Sequence, residues 1–197
     1  MKILTLIFTA AMMIYSTAFA SENNLVSNIE SINTMTADFT QINTIKYFGD
    51  DIYSGSLVIK SGEKALWDYY EPFVSWYIFS KDSITQYDGV NNQLIIYEGD
   101  QSLSNLLLQI LLDIKEAKSK FNITATENTI NLEPKEDIGI KNISLKTENG
   151  IISEMRSTDN VGNTSKIIFK NVKINLPLSD NAFLKETPKD AEIFKHK

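Results

Sequence analysis

The stretch 53 YSGSLVIKSGEKALWDYYEP 72 decides the fold class. Tyr53, Gly55, Leu57 and Ile59 alternate with Ser54, Ser56 and Lys60, the period-two pattern of a strand with one apolar and one wet face. Ser61-Gly62-Glu63 interrupts that rhythm as a turn. The segment Leu66 to Tyr70 then resumes it, carries Trp67 and Tyr69, and runs out at Pro72. Two such runs joined by a short glycine-containing turn predict a hairpin.

Working outward, the same rhythm continues at 73–80 and 83–88, and Gly89-Val90-Asn91-Asn92 turns into 93 QLIIYE 98. Strands are predicted again at 121 FNITAT 126, 129 TINLEP 134 and 140 IKNISLKT 147. Glu148-Asn149-Gly150 is a hairpin signal before 151 IISEMRST 158, and Asp159-Asn160-Val161-Gly162 turns into 164 TSKIIFKNVKIN 175. Short strands at regular spacing, without strand–helix alternation, predict a mainly β, antiparallel domain of roughly ten or eleven strands.

Two segments change period. In 23 NNLVSNIESINTMTADF 39, Leu25, Ile29, Ile32 and Met35 or Thr36 fall at helical spacing, predicting a first helix over 23–38 with Phe39 at its end. In 101 QSLSNLLLQILLDIKEAKSK 120, Leu103, Leu106, Leu107, Ile110, Leu111 and Ile114 form a helical face that Leu108 and Leu112 widen, predicting a second helix over 103–116. So wide a face needs burial on more than one side. It either plugs a concave sheet or meets an apolar ligand. The tail 176–197 has little periodicity beyond a docking segment around Phe183.

The chain opens MKILTLIFTAAMMIYSTAFASENN, with Lys2, an apolar run from Ile3 to Ile14, and Ala18-Phe19-Ala20 before the polar Ser21. This layout predicts a signal peptide over 1–20 and a single domain over 21–197, with a membrane anchor as the alternative. Roughly 177 residues then remain, enough for one sizeable core. There is no cysteine to acylate after the apolar run, and none to form disulfides, although export would permit them. A periplasm is the expected compartment. The formal net charge is -6, the lysines are dispersed, and Arg156 is the one arginine, so the clustered basic footprint that nucleic acid requires is missing. An acidic surface would instead complement a basic patch on a protein partner.

Residues for common chemistries are scattered. The single histidine, His196, lies near the C-terminus, where chains fray. With no cysteine and no second histidine, a zinc site, a cysteine nucleophile and a serine–histidine triad are excluded. Asp50-Asp51 and Glu136-Asp137 are adjacent rather than convergent, and no glycine-rich phosphate cradle follows a strand. Spacing leaves a serine–lysine pair open, but binding without a cofactor is the expectation. Trp67, Tyr69, Trp76, Phe79, Tyr87 and Tyr97 read either as core or as the wall of an apolar cavity under an incompletely closed sheet. The pattern alone does not choose between them.

These segments, in this order, resemble the LolA family of periplasmic lipoprotein carriers. The first helix ends in 39 FTQ 41, like the family's F-x-Q. Next come 55 GSLVIK 60, the tryptophan strand 67 WDYYEP 72, the segment around Tyr87-Asp88, and 132 LEPK 135 for L-x-P-K. Asp159, Gly162 and Phe169 match the D-x-x-G strand pair, and 183 FLKETPKDAEI 193 resembles the terminal F-x-F-x-x-P-x-G-x-x-V. The match spans nearly all of the chain beyond the leader.

The resemblance implies an unclosed antiparallel β-barrel with a helical lid over an apolar cavity. That cavity would take the acyl chains of lipoproteins released by an inner-membrane ATP-driven exporter and give the cargo to an outer-membrane acceptor, whose existence for this chain stays open. The expected cavity and lid residues are Leu25, Ile29, Ile32, Leu57, Ile59, Trp67, Tyr69, Trp76, Leu103, Leu107, Ile110, Leu111 and Ile114. The chain departs from the family at its latch: Ser61 stands where the family has an arginine, Gly62 replaces a proline and Ala65 a large aromatic. The latch region therefore comprises Lys60, Ser61 and Lys64, with either lysine as the substitute. Lys185 replaces the second terminal aromatic and Asp190 the glycine. A monomer is expected, because the wide helix can be buried internally. The outer-membrane acceptor of the same fold would need a cysteine after its leader, which is missing here. A periplasmic lipid-binding or sensing barrel that delivers nothing is the alternative.

Overall fold

A computed structural model describes residues 25–98, 110–111 and 114–196. The expected leader and Leu103, Leu106, Leu107, Leu108 and Leu112 lie outside the described residues. The first described element is a helical turn, α1, over 25–30. The chain continues through β1 (Thr34–Ile45), β2 (Gly49–Lys60), β3 (Lys64–Glu71), β4 (Ser75–Ser80), β5 (Ser83–Asp88) and β6 (Gln93–Glu98). Helix α2 (Ile114–Lys120) leads directly into β7 (Phe121–Ala125), β8 (Thr129–Pro134), β9 (Ile140–Glu148), β10 (Ile151–Asp159) and β11 (Thr164–Ile174). A 3-10 turn, Asp180–Phe183, precedes β12 (Glu192–His196).

The twelve strands among the described residues form one sheet in the order β12-β6-β5-β4-β3-β2-β1-β11-β10-β9-β8-β7. Neighbours are antiparallel except β12, which runs parallel to β6. The outermost strands, β12 and β7, do not pair with each other, so the barrel is unclosed.

The first helix is shorter than its spacing predicts. It stops at residue 30, and the chain is already a strand from Thr34. Met35, Ala37 and Phe39 are buried at period two, and β1 pairs with β2 on one side and β11 on the other. Two ladders of backbone hydrogen bonds, with threonine at 34, 36 and 40, override a helical spacing that these residues also satisfy. Strand β12 was hidden for a different reason. All its residues are exposed, so it carries no apolar alternation. His196, expected at a fraying end, lies in β12 with its ring stacked on Tyr97 at 5.3 Å.

The inner face forms one core. Leu57, Ile59 and Trp67 from one half of the sheet and Ile130, Leu132, Ile143 and Leu145 from the other join Leu25, Ile29, Ile110, Ile114 and Ala117 of the helical segments. A flat sheet could not bring both halves into one cluster, so the sheet curls around the helices. The outer face carries a second, smaller cluster: Leu66, Trp76, Tyr87 and Leu94 lie under Phe183, with Leu178, Ala182 and Ala191 beside them. The C-terminal arm is therefore a strap over β2 to β6. Both terminal departures from the family pattern tie this strap to the sheet. Lys185 Nζ sits 2.8 Å from Asp68 Oδ2, which is buried, and Asp190 accepts from Asn92 Nδ2 at 3.1 Å.

Candidate ligand-binding site

The inner face has two ends. Hairpins β2–β3, β4–β5, β7–β8 and β9–β10 turn at the first, near the start of β1. Hairpins β1–β2, β3–β4, β5–β6, β8–β9 and β10–β11 turn at the second.

At the first end, Ile29, Ile32, Ile59, Ile110, Leu111 and Ile114 converge with Met35, Leu145 and Ile152 around a cavity of about 30 Å³. That is roughly the share of liquid volume held by one water, far too little for a ligand. Helical side chains fill the space. Contacts among the described residues help to hold them. Glu30 of α1 forms an ion pair with Lys118 of α2. The Ser61 amide donates to the Asn33 carbonyl at 2.8 Å, tying the β2–β3 turn to the corner after α1. Towards the other, C-terminal end of α2, Lys135 Nζ of the β8–β9 turn donates to the carbonyls of Lys118 and Ser119 at 2.9 and 3.1 Å. The lysine of 132 LEPK 135 thus caps α2, satisfying carbonyls that the helix end leaves unpaired and favouring its negative dipole end, while Leu132 is fully buried.

At the second end, the same face holds a cavity of about 370 Å³. Its wall is Gln41 and Asn43 of β1, Tyr53 of β2, Tyr69 of β3, and Ser75 and Tyr77 of β4; Pro72, Phe73 and Val90 edge it. Phe39 lies behind this wall, its ring 4.9 Å from Trp67 and 5.2 Å from Tyr69. Gly55, opposite Phe39, gives the ring room: a Cβ there would strike the Asp68 carbonyl and come within 2.8 Å of Phe39 Cζ. Tyr69 makes edge contacts with Tyr53 at 5.9 Å and with Tyr77 at 6.2 Å. Its hydroxyl donates to Gln41 Oε1 at 2.8 Å, and Gln41 Nε2 donates to Asn43 Oδ1 at 3.0 Å and Ser165 Oγ at 3.3 Å. The F-x-Q residues therefore have two tasks on one face, Phe39 packing and Gln41 ordering a polar network.

Burial pushes the Tyr69 hydroxyl far above the usual phenol range, with Tyr77 and Tyr53 adding to the effect. Tyr77 is raised too, by burial first and then by the negative charge of Asp88. Both remain protonated donors at any physiological pH.

The expected site residues divide accordingly. Ile29, Ile32, Ile59, Ile110, Leu111 and Ile114 meet around the small cavity, while Leu25, Leu57 and Trp67 pack in the same core. Tyr69 alone lines the larger cavity. Trp76 belongs to the outer cluster, stacked on Tyr87 at 5.8 Å, and it is Tyr77 that faces inward. Leu103 and Leu107 lie outside the described residues. Lys60 pairs with Glu63 at 2.6 Å, and Lys64 lies over the Phe183 ring. Both lysines share the outer face with Val58 and Leu66, away from the helices.

Asn43, Tyr53, Ser75 and Tyr77 were not anticipated as site residues, nor were Glu30 and Lys118 as a clasp. The alternation Tyr53-Gly55-Leu57-Ile59 already put Tyr53 on the inner face, and pairing Trp67 with Tyr77 extends the rule to β4. The clasp has no local signature, because its residues lie 88 positions apart in the chain.

The family sequence model described as "Outer membrane lipoprotein carrier protein LolA" matches residues 30–185. The "Outer-membrane lipoprotein carrier protein" of Francisella tularensis subsp. novicida (strain U112) is 27% identical over 176 residues, covering 87% of this chain and 86% of that one. The protein of the same name from Pseudomonas fluorescens (strain Pf0-1) is 24% identical over 204 residues, covering 98% of each. Among solved structures, an uncharacterized conserved protein from Thermus thermophilus superposes with a TM-score of 0.56 at 11% identity, covering 88% of this chain and 98% of that one. MucB superposes with a TM-score of 0.52 at 7% identity, covering 91% of this chain and 66% of that one. At such low identity the two structures establish the fold alone.

Proposed function

Because this chain belongs to the LolA family of periplasmic, non-catalytic lipoprotein carriers, we propose that it binds the acyl chains of lipoproteins released by an inner-membrane ATP-driven exporter and carries them to an outer-membrane acceptor. The observation that carries this reading is the single inner face shared by a helix-filled end and an open cavity.

Each methylene shielded from water is worth about 0.8 kcal/mol, so a bare acyl chain crosses an aqueous compartment only inside a carrier. Release demands that the net binding free energy stay small. Ile29, Ile110 and Ile114 occupy the space that chains would take, so loading exchanges one apolar filling for another. Apolar surface is buried before and after the exchange, and the balance stays near neutral. Among the described residues, the polar contacts that hold the helices down include ones of a kind that can be remade: a half-exposed ion pair, an amide hydrogen bond at Ser61, and the Lys135 cap. Serine stands in place of the family's arginine, and the Glu30–Lys118 pair adds a clasp within the lid itself.

The test incubates the protein lacking its leader with inner-membrane vesicles containing labelled triacylated lipoprotein, the matching exporter and ATP. Soluble label in a one-to-one complex, dependent on ATP, is the expected result. No soluble label, with an exporter verified on another carrier, overturns the proposal and leaves a lipid-binding barrel that delivers nothing.

A further inference from the structure

The cavity at the open end is lined differently from the core beside it. Its wall offers hydroxyl and carboxamide groups set among aromatic rings, and among the described residues no lysine, arginine, aspartate or glutamate lines it. Its donors and acceptors are also unevenly used. Gln41 Oε1 takes the Tyr69 hydroxyl and Asn43 Oδ1 takes the Gln41 amide. The hydroxyls of Tyr53 and Tyr77 and the amide nitrogen of Asn43 have no hydrogen-bond partner among the described residues. What remains on offer includes neutral O–H and N–H donors.

We propose that this cavity is a subsite for the ester and amide carbonyls that join acyl chains to a ligand's head, separate from the apolar surface that takes the chains. The proposal rests on the carrier reading for the identity of the ligand. Carbonyl oxygens only accept, so they match unsatisfied O–H and N–H donors; phosphate or carboxylate would also accept, but would carry charge into a wall with no cation to meet it. Fatty-acid carboxylates and phospholipid heads are disfavoured for that reason. The volume, about 370 Å³, falls at the small end of the roughly 300–1,000 Å³ typical of small-ligand cavities, suited to a glyceryl head with its linkages. Phe73, Val90 and Pro72 at the edge can cover the first methylenes, and the raised tyrosine hydroxyls keep the donors protonated.

The test uses the whole chain without its leader and four probes of one chain length, titrated calorimetrically below their aggregation thresholds: dodecanoylglycerol, the ether analogue O-dodecylglycerol, dodecanoate, and dodecyl glucoside. The ester is expected to bind about tenfold more tightly than the ether, the worth of one or two neutral hydrogen bonds, and more tightly than the other two. In the Tyr53→Phe/Tyr77→Phe variant, which keeps both rings, that preference is expected to disappear because ester binding weakens more than ether binding. Asn43→Ala provides a second, independent reduction. Equal affinity for ester and ether, an ester preference that survives in the double variant, or tighter binding of the glucoside would each overturn the proposal. Failure here leaves ATP-dependent lipoprotein capture intact if the carrier reading is right. Conversely, ester preference without capture would retain the subsite and remove the carrier.

Discussion

The two ends of the sheet share the same strands yet face solvent in opposite ways. At the helix-filled end the turns are Ser61-Gly62-Glu63, Lys81-Asp82, Thr126-Glu127-Asn128 and Asn149-Gly150, all polar or glycine. At the open end, Tyr47 and Phe48, Phe73 and Val74, Val90, Ile138 and Val161 stand in solvent at the tips of five successive hairpins, Tyr47 being 91% and Phe48 88% exposed. Scattered exposed apolar residues are ordinary, but a set gathered around one opening marks a surface that touches something. The difference teaches that folding free energy and binding capacity are divided along the strands. One end has spent its apolar surface on its own helices; the other has kept it available.

Substitution at each end separates these roles, and the largest expected effect is at the packed end. Ile110, 2% exposed, is a helical plug of the inner core. Ile110→Ala is expected to lower unfolding free energy by about 2–5 kcal/mol, through lost burial plus the cavity left behind. Denaturant titration measures it, and a loss below about 1 kcal/mol would mean that the helices do not contribute to the core as the packing indicates.

At the open end the reverse is expected. Tyr47→Ser and Phe48→Ser together should alter stability by no more than about 0.5 kcal/mol each, because neither side chain is buried. The same pair should slow lipoprotein capture several-fold in the vesicle assay. Unchanged capture would show that the apolar tips are incidental and would blunt the contrast between the ends.

The smallest effect concerns the aspartates that brace the open-end turns. Asp137 accepts from the Gly139 amide at 2.9 Å and from Asn160 Nδ2 at 2.8 Å, joining the β8–β9 and β10–β11 turns; these bonds hold its carboxyl below the usual 3.8. At Asp159 desolvation works upward, but hydrogen bonds from Asn163, Val161 and Gly162 outweigh it, and its carboxyl is lowered as well. A carboxyl lowered by folding stabilises the native state above its unfolded value, and that contribution is lost as pH falls through the folded value. Both turns should therefore hold at pH 5 and loosen only below about 3.8. Carbon-detected titration of the two carboxyls should give midpoints under 3.8; midpoints at or above it would contradict the bracing geometry.

Much of this was legible from the residues. Most of the strands follow from period-two alternation punctuated by polar, glycine or proline turns, and the Asn149-Gly150 hairpin has both residues at positive φ, as its sequence predicts. The inner-face identity of Leu57, Ile59, Trp67 and Tyr69 also follows from alternation. Trp76 shows where that reasoning stops. Strand β4, SWYIFS, carries large residues on both faces, because the C-terminal strap buries the outer one. Period two then says that Trp76 and Tyr77 oppose each other, without saying which is inside. Residues 34–39 satisfied a helical spacing and a strand alternation at once, and only pairing with β2 and β11 settled the choice.

By itself, then, the sequence determined the local quantities: where strands run and turn, which segments have a helical apolar face, and the family pattern carried by Phe39, Gln41, Trp67, Leu132 and Lys135. Those depend on neighbours within a few positions, where backbone geometry alone fixes which side chains share a face. The tertiary structure decided the pairs made across long separations: Glu30 with Lys118, Lys185 with Asp68, β12 beside β6, and the strap that sends Trp76 outward. Each depends on which surfaces meet when the sheet curls, and that is set by packing of the whole core, which no short window of sequence contains.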